Sequence, residues 1–98
     1  MKHKWTQDEL RLVLDSILLS YSSRDWGDLI SDIASDIGVS KGSVNALYTS
    51  LSRISQGFEP NPTKGGVGHN WGLNVELAFD KWKCSHNLSQ SKLNVIFS

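Results

Sequence analysis

The stretch from Asp32 to Leu51, "DIASDIGVSKGSVNALYTSL", decides how this chain is read. A helix-turn-helix needs a small residue where two helices cross and a glycine four residues later for the turn. Apolar residues six and nine beyond that glycine then hold the second helix on the first. Ala34, Gly38, Val44 and Leu47 occupy these offsets, and Ile33 and Ile37 fill the inner face. Gly38 suits the left-handed backbone just past a helix end, and Ser40 suits the N-cap of the next helix. Ser40, Lys41, Gly42, Ser43, Asn45, Ala46 and Thr49 are left pointing outward. Small and polar residues of this kind can enter a major groove and hydrogen-bond to phosphates and base edges. Any tight helical hairpin favours Ala, Gly and apolar residues at the same places, so the spacing speaks for geometry more strongly than for DNA contact.

Upstream, Trp26, Leu29, Ile30, Ile33, Ala34 and Ile37 recur at helical spacing, with Ser22 or Ser23 available as a cap. Further upstream, Thr6 and Glu9 form a capping-box pattern ahead of a stripe of Leu10, Val13, Leu14, Ile17, Leu18 and Tyr21. The helix after the turn has Val44, Leu47, Tyr48, Leu51 and Ile54 as its apolar face. Both prolines and most of the glycines then fall in "SQGFEPNPTKGGVGHNWG", through which helix cannot persist. A fourth helix fits "LNVELAFDKWK", with Asn74 as cap and Val75, Leu77, Ala78 and Trp82 as the buried set. The tail "SQSKLNVIFS" is open to helix or strand. Trp5, Trp26 and Trp82 fall on apolar faces, as core residues do; Trp71 can plug the core or form an exposed contact. The expectation is a small all-α domain of about four helices around a central helix-turn-helix. Its three-helix core spans 6–55, its loop 56–72, and its C-terminal helix and tail 73–98.

Ninety-eight residues make one domain. The single cysteine, Cys84, allows no intramolecular disulfide and reads as a bystander thiol. His3, His69 and His86 form no cluster with metal-site spacing, so neither metal nor cofactor is expected. The apolar runs are too short to span a membrane, and "MKHKWTQDEL" lacks the apolar core of a signal peptide, which predicts a reduced, cytoplasmic setting. In "TKGGVGHNWG", Lys64 is followed by Gly65 rather than Ser or Thr, which argues against a phosphate loop. That segment reads as a connector, or as a wing from which Lys64 and His69 touch a DNA backbone. No nucleophile–base arrangement stands out, so the chain is expected to be non-enzymatic.

Charge pulls against the DNA reading. Ten Lys plus Arg balance ten Asp plus Glu, whereas phosphate neutralisation usually calls for a basic excess. From Lys41 to Lys64 the segment is mildly positive, but Asp25, Asp28, Asp32 and Asp36 line the helix before the turn. Such a stripe is ordinarily a solvated face, with its first members favouring the helix N-terminus. The sharper alternative is a protein-facing surface that imitates spaced phosphates.

"KWTQDELRLVLDSILLSY", "IASDIGVSKGSVNALYTSLSRI", "FEP", the glycine-rich loop and "ELAFDKW" together resemble the N-terminal helical domain that precedes the nuclease domain of some bacterial HNH endonucleases. The resemblance covers Trp5 to Trp82 and implies a helical DNA-binding module. No nuclease domain is expected here, since the three histidines make no His-Asn-His site. By the resemblance, Ser40, Lys41, Ser43, Asn45 and Thr49 take DNA-contact roles. The family's turn reads Gly-Arg before Ser or Thr; here it is Gly38-Val39-Ser40, so the basic anchor is missing.

Two functional expectations follow. One is a DNA-binding protein, such as a phage or mobile-element transcription regulator, with Arg53, Lys41 and Lys64 on phosphates. It would act as a homodimer through the fourth helix and the tail "LNVIF". The other is a stand-alone inhibitor of a host nuclease or defence complex, of anti-CRISPR or anti-restriction type, acting through Asp25, Asp28, Asp32 and Asp36.

Overall fold

The computed structural model describes residues 4–22, 25–58 and 71–97. Lys64 and His69, with the proposed wing, lie outside these residues, as do His3, Ser23 and Arg24. Five helices follow in order: α1 (Gln7–Ser20), α2 (Trp26–Ile37), α3 (Lys41–Ser55), α4 (Leu73–Ser85) and α5 (Gln90–Ile96). No strand occurs among the described residues, so the fold is all-α, with five helices rather than about four.

Helix α1 begins with the full capping box. The Glu9 N–H donates to Thr6 Oγ1 at 3.2 Å, and the Thr6 N–H donates to Glu9 Oε1 at 3.0 Å. Its Leu10, Val13, Leu14 and Ile17 are buried, chiefly against α4 and α2. Helix α2 is capped by Asp25, not by Ser22 or Ser23. The Gly27 N–H donates to Asp25 Oδ1 at 2.7 Å, and a carboxylate there also meets the positive end of the helix dipole.

Helix α4 departs from expectation at two points. Its N-cap is Gly72 with no side-chain cap, because Asn74 already lies in the first turn. The Asn74 side chain works across the fold instead, donating to the Trp5 carbonyl at 2.8 Å and accepting from Gln7 Nε2 at 2.7 Å. This ties the starting ends of α1 and α4 together. Farther along, His86 Nε2 approaches Asp15 Oδ1 at 3.5 Å, so the two helices run side by side in the same direction. The buried face of α4 is Val75, Ala78, Phe79 and Trp82, at i, i+3, i+4 and i+7. Leu77, expected inside, sits off that stripe and is exposed; Phe79 takes the core position.

The tail resolves to a helix. Ser89 caps α5 by accepting the Lys92 N–H at 3.2 Å, and Gln90 Nε2 donates to the carbonyl of Ser55 at the end of α3, 2.6 Å away. Leu93, Ile96 and Phe97 are buried, so most of the segment expected to offer a dimer surface belongs to the core. A row of rings joins the helices: Trp26 to Tyr48 at 4.4 Å, Tyr48 to Phe97 at 5.9 Å, and Phe97 to Trp82 at 6.3 Å between centroids. Trp71 is buried, its indole N–H donating to Glu76 Oε1 at 3.0 Å. Trp5 and Trp26 pack, half-buried, against the core. Among the described residues, no helix is long and apolar enough to cross a membrane.

Candidate nucleic-acid interface

The turn between α2 and α3 is built from backbone geometry. Gly38 adopts φ 82° and ψ 36°, the left-handed region, which lets its N–H and that of Val39 both reach the Ala34 carbonyl, at 2.9 and 3.0 Å. The chain then reverses within two residues into Ser40, whose Oγ accepts the Ser43 N–H at 3.1 Å and caps α3. Ala34, Val44 and Leu47 are buried at the crossing of the two helices, with Ile33 beside them. Three of the four positions that set the helix-turn-helix spacing are thus buried where α2 and α3 pack, and the fourth, Gly38, is the exposed turn that joins them.

The outer face of α3 is narrower than its sequence suggests. Lys41, Gly42 and Asn45 are exposed, and Ser40 is exposed at the cap. Ser43, Ala46 and Thr49, expected to point outward, are half-buried. The two hydroxyls also have local partners: Ser43 Oγ lies 3.0 Å from Ser40 Oγ, and Thr49 Oγ1 donates to the Asn45 carbonyl at 2.9 Å. Thr49 thus has its donor engaged and keeps acceptor capacity, while Ser43 and Ser40 share one hydroxyl hydrogen bond between them. The Asn45 side-chain amide makes no hydrogen bond to any described residue. It can thus present a donor and an acceptor together, the combination that recognises the edge of adenine. Lys41, in the first turn, is exposed and suited to a phosphate. Arg53 is half-buried in the last turn and already holds an interaction within the protein.

Helix α2 sets the electrostatics beside this face. Asp25, Asp28, Asp32 and Asp36 are all exposed, opposite the buried Leu29, Ile33 and Ala34. Asp25 serves as the cap and Asp28 lies in the first turn, so both stabilise the helix start. Asp32 takes part in a further interaction. In helix-turn-helix docking the helix before the turn crosses the phosphate backbone, where such a stripe is repelled. Burial raises the pKa of Tyr48, which lies between α2 and Phe97.

Among the described residues no cluster of His, Cys, Asp and Glu has the makings of a metal site, and Cys84 is an exposed free thiol. Reasoning from sequence gave no role to Leu12, Leu19 or Leu73, which are exposed on α1 and α4. The available signal was that they fall off the core stripes of their helices. No family model, curated protein or solved structure matches the chain.

Proposed function

We propose that this chain is a small, non-enzymatic DNA-binding protein of helix-turn-helix type, in which α3 enters the major groove of duplex DNA. The observation that carries this reading is the uncovered first half of α3. There Ser40, Lys41, Gly42 and Asn45 stand exposed on a helix packed against α2, with Ala34, Val44 and Leu47 buried. Asn45 reads a base edge, Lys41 and the Ser40 cap position the helix on phosphates, and Gly42 permits close approach. Ser43, Thr49 and Arg53 contribute acceptors and charge around that centre. A single recognition helix covers few base pairs, so two copies act on half-sites about one helical turn apart, in the manner of a transcription regulator.

The test is fluorescence anisotropy of a mixed pool of labelled genomic duplexes, titrated at about 50 and about 200 mM salt. A slope of log affinity against log salt of a few units, about −0.9 for each phosphate contacted, supports the reading. Absence of binding at the lower salt removes it.

The exposed α2 stripe favours a second reading, in which the same scaffold docks on a protein. A host nuclease or defence complex with a basic nucleic-acid groove would accept Asp25, Asp28, Asp32 and Asp36 in place of phosphates. Protein capture with the stripe intact and reversed separates this reading from the first.

A further inference from the structure

Six large hydrophobic side chains are exposed among the described residues, and four of them lie on α1 and α4: Leu12, Leu19, Leu73 and Leu77. Leu19 is 82% exposed and Leu73 69%. On α1, Asp8, Leu12, Asp15 and Leu19 follow at steps of four, three and four; on α4, Leu73, Leu77 and Lys81 follow at steps of four. These are the spacings of helix faces that pack against other helices. Between the two helices runs an open cleft of about 760 Å³ with Leu18, Ala78 and Trp82 in its lining. The α1 side carries Asp8, Arg11 and Asp15 and the α4 side Lys81 and His86, so the α1 side is acidic on balance and the α4 side basic. The contacts that Asp15 makes with Arg11 and His86, at 3.9 and 3.5 Å, are long and solvent-exposed, and so hold it weakly.

We infer that this face is where a second copy of the chain docks. Because α1 and α4 run in the same direction, a two-fold axis along the cleft lays α1 of one copy over α4 of the other. The acidic stripe then meets Lys81 twice, and the leucines of both helices cover the two clefts. The alternative two-fold, α1 over α1, sets two faces of the same net acidic charge together, relieved only by Arg11, and leaves Lys81 outside the contact. Two helices of 14 and 13 residues give a face roughly 20 Å long, so the contact falls at the small end of stable interfaces and assembly depends on concentration. The inference deepens the DNA reading, which uses two copies, but it is tested without DNA, so either can fail alone.

Sedimentation velocity from about 10 μM to about 1 mM protein is expected to show the mass doubling across the range. Leu19→Glu and Lys81→Glu each return the protein to monomer, with helix content unchanged, and with melting temperature unchanged at concentrations where the wild type is itself monomeric, because both side chains are exposed. A chain carrying Asp8→Lys and Asp15→Lys is also monomeric alone, but mixed with the Lys81→Glu chain it forms a heterodimer. A wild-type protein that stays monomeric throughout, or a dimer indifferent to Leu19→Glu and Lys81→Glu, overturns the inference.

Discussion

Gly38 and Gly42 lie four residues apart and respond oppositely to the same substitution. A Cβ at Gly38 would meet nothing within 4 Å, so the cost of Gly38→Ala is conformational, coming from φ at +82°. An L-residue held there costs about 1–2 kcal/mol, and urea denaturation should show stability falling by that amount. At Gly42, inside α3, a Cβ would come no closer than 3.9 Å to Ser40 Oγ. Gly42→Ala, in the first turn of α3, should raise stability by up to about 1 kcal/mol, the difference seen in a helix interior. Tyr48 gives a pH-dependent prediction. Burial raises its folded-state pKa above 10, so the unfolded chain ionises first as pH rises. The associated stability is intact below about pH 10 and is lost as pH climbs through the folded pKa. Denaturation curves at about pH 9 and about pH 11 should separate for wild type more than for Tyr48→Phe.

Helix α3 carries the binding prediction. Asn45→Ala should weaken binding to a selected operator by about 1–3 kcal/mol while barely changing affinity for random duplex. Lys41→Ala should weaken both alike and flatten the salt slope by about 0.9. An Asn45→Ala variant with undiminished preference for its operator would mean that α3 is docked in another orientation. How far the elements were legible in advance follows from where their signals lie. The starts of α1 and α3 and the end of α2 depend on Thr6, Glu9, Ser40 and Gly38 acting on their own backbone, so spacing alone found them. Asp25 was passed over for Ser22 and Ser23 as a candidate cap because three acceptable residues stand within four positions. Asn74 could not be read as a tie to Trp5 and Gln7, since those partners are nearly seventy residues away. On α4, Phe79 completes the stripe of Val75, Ala78 and Trp82 at helical spacing, and Leu77, two residues before it, lies on another face. Helix α5 spans only seven residues, too few for a period to emerge. Of the candidate contact residues, Lys41 and Asn45 are exposed as their spacing implied, whereas Ser43 and Thr49 are half-buried and locally bonded, which does not show in a pattern of polar residues.

For the molecule as a whole, charge separates the two functional readings. Reversing Asp28 and Asp32 to Lys raises the net charge from zero by four, all of it on α2. If the protein binds DNA, anisotropy should record tighter and more salt-dependent binding. If α2 docks on a basic protein groove, capture of that partner should be lost in the same variant. The row of rings has a consequence of another kind. Trp26, Tyr48 and Trp82 come from three helices, but what joins Tyr48 to Trp82 is Phe97, just after α5. A chain emerging from the ribosome can form α1 to α4 and still lack the piece that closes them. Until residues 93–97 have cleared the exit tunnel, Tyr48, Phe79 and Trp82 share an open, wettable gap. Docking of α5 is therefore the step that closes the aromatic row, and an intermediate with α5 undocked exposes these rings to solvent and to chaperones.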